Sequence, residues 1–184
     1  MPASTITYRR VTAADGEAIE RLHRTLSDRD GYLRFFEFPP NNLRRLVELL
    51  TTADERHCAI GAFTGTECLG VADYVVDDDG RGAEVAIVVA SESHTHGIGT
   101  RLLERLAAVA AAHGIRTLHA DVLATNNAVF EMIGDAGWPV QQIGDGPEVH
   151  LVVDLPRPTA FRPTRTSTAL RQAANLPAES TAAG

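Results

Sequence analysis

The chain contains a series of short segments in which apolar residues alternate with polar ones or run without interruption. Both patterns are typical of β-strands. Turn-forming glycines separate several of them, with Gly65 between two segments and Asp79-Gly80 before the next. The pattern predicts strands at Ile6–Val11, Cys58–Phe63, Leu69–Val76, Ala83–Ala90, Thr117–Leu123, Val140–Ile143 and Val149–Leu155.

Apolar residues three and four positions apart predict helices in the intervening segments. Residues 12–15 resemble a capping box ahead of the first helix, and Asn41 or Asn42 can cap the second. The third helix, Ile98–His113, has the clearest apolar stripe, and Gly114 suits the position just past its end. The other helices are marked by Ile19, Leu22 and Leu26, by Leu43, Leu46, Val47 and Leu50, and by Val129, Met132, Ile133 and Ala136.

The predicted elements follow the order βααβββαβαββ. This order predicts an α/β protein with a mixed sheet and helices on both faces. A doubly wound parallel sheet would need a helix between nearly every pair of strands. Three consecutive strands before the third helix therefore argue against such a fold.

The length of 184 residues favours one domain with a short extension. We place the domain at residues 1–155. Residues 156–184 are rich in Pro, Ala, Thr and Arg and show no sustained periodicity, which predicts a flexible C-terminal tail.

The net charge of −7 argues against broad binding to nucleic acid, which requires a basic face. The apolar runs are far shorter than the ~20 residues of a membrane span, and the N-terminus lacks a signal-peptide pattern. We therefore expect no nucleic-acid or membrane partner. Cys58 and Cys68 lie in strand-like segments, which predicts buried free thiols and a cytoplasmic location.

A glycine-containing loop joins the fourth strand to the third helix. The segment from Val85 to Leu103 holds an apolar strand, a loop with Gly97 and Gly99, and an amphipathic helix. The first N–H groups of a helix lack partners within it and favour anions, and glycines let a phosphate approach the backbone. The segment therefore predicts a site for a phosphate-bearing cofactor.

This loop, within this order of elements, resembles that of the GCN5-related N-acetyltransferase (GNAT) superfamily, whose loop is Gln/Arg-x-x-Gly-x-Gly/Ala. Here the loop is His94-Thr95-His96-Gly97-Ile98-Gly99, so both glycines match and the first position departs from the pattern. The family also often has an Asn at the start of its fourth helix and Gly-Phe at the end, which here are Asn126 and Gly137-Trp138. The resemblance covers roughly residues 5–155.

Two further segments, Leu26–Phe36 with its Tyr-Leu-Arg-Phe-Phe sequence and Gly82–Ala86, resemble the acetyltransferase domain of bacterial Pat-type protein lysine acetyltransferases. In those proteins this domain is usually fused to a nucleotide-sensing or acyl-CoA-ligase-like domain, which has no counterpart in this sequence. The resemblance thus points to protein lysine as the acceptor, while the missing domain leaves a small amine as an alternative.

The resemblance implies acetyl-CoA as cosubstrate, with no metal. The loop backbone, aided by the Thr100 hydroxyl, would receive the pyrophosphate. Val89, flanked by Ile87 and Val88, would pair with the pantetheine arm and polarise the thioester carbonyl. The implied cofactor-binding residues are Ile87, Val88, Val89, His94, Thr95, His96, Gly97, Ile98, Gly99, Thr100, Arg101 and Asn126.

Glu84 is the candidate general base, because a glutamate in the matching Ala-Glu-x-Ala context has this role in the Pat-type domains. Partial burial would raise the pKa of its carboxyl group toward the range that suits a base. A structural alternative is an ion pair with Arg81 beside the preceding turn. Asn126 has two explanations, capping of its helix or contact with the cofactor. Many relatives carry a general-acid tyrosine where this chain has Ile133.

The resemblance implies direct attack of a primary amine on acetyl-CoA in a ternary complex. Three hypotheses remain at this point: acetylation of protein lysine, acetylation of a small amine, and non-catalytic binding of acyl-CoA. A homodimer is compatible with each of them.

His94 and His96 stand where Gln and Arg are common in the family. A metal site is disfavoured because no third ligand is evident. Protonated imidazoles would favour phosphate, so we expect affinity for CoA to weaken as pH rises through about 6 to 7. Calorimetric titration of CoA across this range tests the prediction, and a flat dissociation constant would contradict it.

Overall fold

The computed structural model describes residues 5–26, 42–52, 54–90 and 97–156. It contains a seven-stranded mixed sheet in the order β1-β2-β3-β4-β5-β7-β6, in which β4 and β5 are parallel and all other neighbours are antiparallel. The strands are β1 (Thr7–Arg10), β2 (His57–Thr64), β3 (Glu67–Val76), β4 (Gly82–Val89), β5 (Thr117–Leu123), β6 (Val140–Ile143) and β7 (Glu148–Asp154), and the helices are α1 (Gly16–Arg24), α2 (Leu43–Thr51), α3 (Ile98–Ala112) and α4 (Asn127–Ala136).

This architecture confirms the predicted order of elements. The side chain of Asn42 accepts a hydrogen bond from the backbone N–H of Arg45, so Asn42 caps α2. Gly114 has a φ of 85° just beyond the end of α3, as its predicted position requires. The predicted tail and the Tyr-Leu-Arg-Phe-Phe segment lie outside the described residues.

Helices cover both faces of the sheet. On one face, Leu102 and Leu106 of α3 pack against Ile60, Ala72 and neighbouring side chains of the central strands. On the other face, α1 and α2 bury Ile19 and Leu50 against β2 and β3. Both faces of the central strands are therefore buried, which explains their nearly continuous apolar sequence.

Strands β4 and β5 pair over only a short distance. The register joins Gly82 to Thr117, Ala83 to Leu118 and Glu84 to His119, and β4 continues beyond these pairs to Val89. The two strands therefore separate after Glu84, with α3 forming the connection between them. A cleft opens where the sheet divides.

Asp15, in the short 3₁₀ turn Ala13–Asp15, holds the start of α1. Its carboxylate accepts hydrogen bonds from the Thr12 backbone N–H at 2.8 Å and from both terminal guanidinium nitrogens of Arg9 at 2.7 and 2.8 Å. The hydrogen bond from Arg9 is the main reason that the pKa of Asp15 is lowered well below its usual range. The ionised carboxylate is thus the stable form in the folded protein.

We expect Asp15→Asn to lower the free energy of unfolding at pH 7 by about 1 kcal/mol, a modest value because Arg9 is partly exposed. A lowered folded-state pKa stabilises the protein above the unfolded carboxyl pKa of about 4, and this contribution is lost progressively as pH falls from there toward the lowered value. Urea denaturation should therefore show a smaller difference between the two proteins at pH 3 than at pH 7. A constant difference would contradict the prediction.

Both cysteines are buried and free, as predicted. Burial raises the pKa of the Cys68 thiol to about 11, and burial also raises the pKa of Cys58. Both thiols are therefore protonated and unreactive near neutral pH. Among the described residues, no helix is long and apolar enough to cross a bilayer.

Candidate active site

The cleft between β4 and β5 has a volume of about 410 Å³. Its floor is apolar and comes from α3, α4 and β7 through Leu103, Ile133 and Leu151, while Glu84 and Asp121 add carboxylates from the two diverging strands. A cleft with apolar walls and few polar groups is typical of a small-molecule site.

The backbone of β4 is directed alternately toward β3 and toward the cleft. The N–H of Asp77 donates to the Gly82 carbonyl, and the N–H of Ala90 donates to the Leu69 carbonyl. Even-numbered residues of β4 thus bond to β3, so the alternation of an antiparallel ladder directs the odd-numbered residues toward β5 and the cleft. The odd-numbered residues beyond the β5 pairing are Val85, Ile87 and Val89.

This alternation bears on three of the predicted cofactor residues. Ile87 and Val89 have their backbone groups on the cleft side of β4. Val88 pairs with Val71 within the β3 ladder, so the register does not support a backbone contact between Val88 and a ligand in the cleft. The side chain of Val88 instead packs in the core beneath α1.

Glu84 lies on the rim of the cleft, at the last pair that joins β4 to β5. Its side chain shares a sheet face with Val88, on the side of α1 and α2. The side chain is exposed, so the condition of partial burial is not met. The alternative ion pair between Glu84 and Arg81 is also not formed in the described structure.

The N-terminus of α3 lies close to the end of β4. The N–H of Arg101 donates to the Gly97 carbonyl, which leaves the N–H groups of Ile98, Gly99 and Thr100 without partners inside the helix. Ile98 is fully buried and anchors this end of α3. The structure therefore places the start of a helix, with N–H groups that have no partner inside it, where the sequence predicts an anion site; His94, Thr95 and His96 lie outside the described residues.

Glycine is required at the two loop positions for different structural reasons. Gly97 has a φ of 65°, which favours glycine, and a Cβ there would meet open space. A Cβ on Gly99 would lie 2.3 Å from the sulfur of Met132 in α4. Gly99 therefore permits close packing of α3 against α4, a role that differs from the close phosphate approach expected for both.

Asn126 does not cap α4 with its side chain, although it occupies the cap position. It is only 7% exposed, lines the cleft, and makes no side-chain hydrogen bond with the described residues. Capping alone is thus not the explanation for this residue. A buried amide with unused donors and acceptors at a cleft is available to a ligand.

We expect Asn126→Ala to leave the free energy of unfolding nearly unchanged, because no capping bond is lost. If its amide binds acetyl-CoA, the affinity should fall about 5- to 10-fold, as for one neutral hydrogen bond. Calorimetry with CoA and thermal denaturation of the same variant separate the two roles. A lower melting temperature with unchanged affinity would contradict the expectation.

No tyrosine lines the described cleft. Ile133, at the position where many relatives carry a tyrosine, packs in an apolar cluster with Leu103 and Val122. Tyr74 lies beneath α3 on the opposite face from Glu84, where its hydroxyl meets Nδ1 of His113 at 2.8 Å and burial raises its pKa to about 12. Tyr74 therefore does not replace the missing acid.

A histidine–carboxylate pair beside Glu84 was not predicted from the sequence. Nε2 of His119 lies 3.0 Å from both carboxylate oxygens of Asp77. A second pair joins His150 to Asp121 at 2.7 Å, and the imidazole rings of His119 and His150 are 5.3 Å apart. The alternating pattern of β5 was a signal that placed His119 and Asp121 on one face, but the partner carboxylate of His119 comes from a distant turn.

A further ion pair lies buried on the same face of the sheet. Nε2 of His57 is 3.5 Å from a carboxylate oxygen of Asp73, and both side chains are almost fully buried. Burial alone would lower the pKa of His57, but the carboxylate of Asp73 outweighs this effect and raises it. The described residues contain no cluster of three His, Cys, Asp or Glu side chains that could hold a metal.

Comparisons with known proteins agree with this geometry. A family model described as "Acetyltransferase (GNAT) family" matches residues 20–137. The crystal structure of the GNAT domain of S. lividans PAT is similar over 80% of this chain and 89% of its own, with 30% identity and a TM-score of 0.73. The residues matched by the family model include β4, the start of α3, and the parts of the cleft that come from β4, β5 and α4.

Two other solved structures share the fold. An acetyltransferase from Thermus thermophilus is 25% identical, with a TM-score of 0.60 over 82% of this chain and 97% of that one. A GNAT superfamily phosphinothricin acetyltransferase from Sinorhizobium meliloti, in complex with AcCoA, is 20% identical, with a TM-score of 0.66 over 88% of this chain and 94% of that one.

Proposed function

Because the chain belongs to the GNAT family of acetyltransferases, which use acetyl-CoA, we propose that it acetylates protein lysine with Glu84 as the general base. The observation that carries this proposal is the position of Glu84, an exposed carboxylate on the rim of the cleft where β4 and β5 separate. The matching glutamate of the Pat-type domains supports the role of the side chain and the choice of acceptor.

In the proposed reaction, the pyrophosphate of acetyl-CoA binds at the N-terminus of α3 and the pantetheine arm enters the cleft. The backbone of β4 at Ile87 and Val89 holds the arm, and a backbone N–H polarises the thioester carbonyl. The acceptor amine approaches from the face that carries Glu84. This arrangement allows direct attack within a ternary complex, without an acyl-enzyme intermediate.

Glu84 has to remove a proton from the ammonium group of lysine, whose ordinary pKa is about 10.4, before nitrogen can attack. The exposure of Glu84 suits transfer through a water molecule as well as direct contact. With Ile133 at the acid position, the CoA sulfur leaves as a thiolate or takes a proton from water.

The acceptor is tested by following CoA release with acetyl-CoA and three classes of amine: a protein with a reactive lysine such as an acyl-CoA synthetase, a polyamine, and an aminoglycoside. Turnover with the protein acceptor and with neither small amine supports the proposal. Turnover with only the small amines supports the second hypothesis, and tight CoA binding without turnover supports a non-catalytic module. A lysine-to-arginine variant of the protein acceptor is the matched control.

A further inference from the structure

We infer that His119, oriented by Asp77, carries protons between Glu84 and solvent during acetyl transfer. This inference rests on the proposed function, in which Glu84 is the base. His119 acts on the reacting amine only through Glu84, so it is a positioning residue. Three features of the molecule support this role: the orientation of His119, its place beside Glu84 in the sheet, and the nitrogen that it leaves available for a proton.

The orientation of His119 depends on Gly82, which has no side chain. The Asp77 carboxylate lies over Gly82, where a Cβ would be 2.2 Å from its Oδ2 and 3.2 Å from the hydroxyl of Thr117. Gly82 begins β4 and pairs with Thr117, so this space lies where β4 and β5 are still joined. The glycine thus lets the carboxylate reach across β4 to His119.

His119 and Glu84 are register partners on the two strands. On β5, Leu118 and Val122 pack beneath α3 and α4, so His119 lies on the opposite face of the sheet. Glu84 lies on that same face, and both residues line the cleft. Neighbouring strands are about 4.8 Å apart, so a carboxylate and an imidazole at paired positions are close enough to share a water molecule.

The contact with Asp77 selects the tautomer of neutral His119. A hydrogen on Nε2 donates to the carboxylate, which leaves Nδ1 as the nitrogen that can accept a proton. No hydrogen bond of Nδ1 is found among the described residues. An imidazole held this way can accept a proton from a carboxylic acid on Nδ1 and release it to solvent.

The transfer has two protons to place. The ammonium group loses its first proton to Glu84, and His119 takes that proton from Glu84 and releases it to solvent. The neutral amine then attacks, the C–N bond forms and the C–S bond breaks. The nitrogen loses its second proton in this step, and the departing sulfur of CoA receives it through water. Glu84 returns to its ionised form for the next cycle.

Other charged groups also face His119. Asp77 comes from the turn after β3, Glu84 from β4, Asp121 from β5 itself, and His150 from β7, paired with Asp121. His150 offers a matched control, since it is also a histidine bound to a carboxylate on this face but is one strand farther from Glu84.

The test compares kcat/KM from pH 5.5 to 9 for the wild type, His119→Gln, Asp77→Asn and His150→Gln. We expect His119→Gln to lower kcat/KM about 10-fold at pH 7 and to change the shape of the pH profile. Asp77→Asn should have a smaller effect in the same direction, and His150→Gln should keep the wild-type profile. If His119→Gln has the same kcat/KM and the same pH profile as the wild type, the inference is overturned.

A second measurement does not depend on turnover. Nitrogen-15 NMR of the imidazoles at alkaline pH should show the Nε2–H tautomer for His119 in the wild type and a mixture of tautomers in Asp77→Asn. Finding Nδ1–H in the wild type would overturn the inference. An active wild type with an unaffected Glu84→Gln variant would overturn the base assignment of the proposed function, and the inference with it. If kcat/KM falls in Glu84→Gln but is that of the wild type in His119→Gln, the inference about His119 is wrong and the proposed function still stands.

Discussion

Glu84→Gln is expected to lower kcat about 10²- to 10⁴-fold, the usual contribution of a general base. The amide keeps the shape of the side chain but accepts a proton poorly. Because Glu84 is exposed and makes no hydrogen bond or ion pair in the described structure, the substitution should not affect folding. CoA release under saturating acetyl-CoA and acceptor measures the effect.

The matched control for this variant is Glu55→Gln. Glu55 is also exposed, in the turn before β2, and does not line the cleft. Its replacement should leave kcat unchanged. The affinity of Glu84→Gln for CoA should also be that of the wild type, since the carboxylate is assigned to the acceptor side. Retained kcat with an unchanged pH profile in Glu84→Gln would show that the base is elsewhere.

Leu102→Ala is expected to lower the free energy of unfolding by about 2 to 5 kcal/mol. Leu102 is 0% exposed and packs between α3 and the central strands, so truncation removes buried contacts and leaves a cavity. Because α3 also provides the helix end of the candidate cofactor site, the remaining folded protein should bind CoA more weakly. Urea denaturation gives the stability, and calorimetry gives the affinity.

Leu49→Ala in α2 is the corresponding control, since Leu49 is 43% exposed. Its cost should be below about 1 kcal/mol, because the side chain loses little burial. Similar costs for the two variants would show that α3 is not packed against the sheet as described.

The architecture could be predicted well because most elements carry their own local signals. The strand after α3 was predicted with the bounds Thr117–Leu123 that the structure has. The three consecutive strands joined by glycine turns argued against a doubly wound sheet. These signals depend on residues close together in the chain, so periodicity and turn chemistry suffice to recognise them.

The details of the site depended on contacts that local patterns do not contain. Asn126 has the residue type and position of a cap, but its side chain is directed to the cleft instead. Gly99 was explained by a ligand, whereas the nearest neighbour of an added Cβ would be Met132 from another helix. Asp77 and His119 are 42 positions apart in the sequence, so their contact required the fold itself.

The brief pairing of β4 with β5 leaves the sheet in two parts that share few interstrand hydrogen bonds. One part is β1 to β4 and the other is β5, β7 and β6, and they are joined by three residue pairs between β4 and β5 and by the apolar core beneath α3, which includes Ala83 and Leu118. A ligand that fills the cleft would contact both β4 and β5 and so would add contacts between the two parts of the sheet. A ligand bound in the cleft should therefore raise the free energy of unfolding of the whole domain.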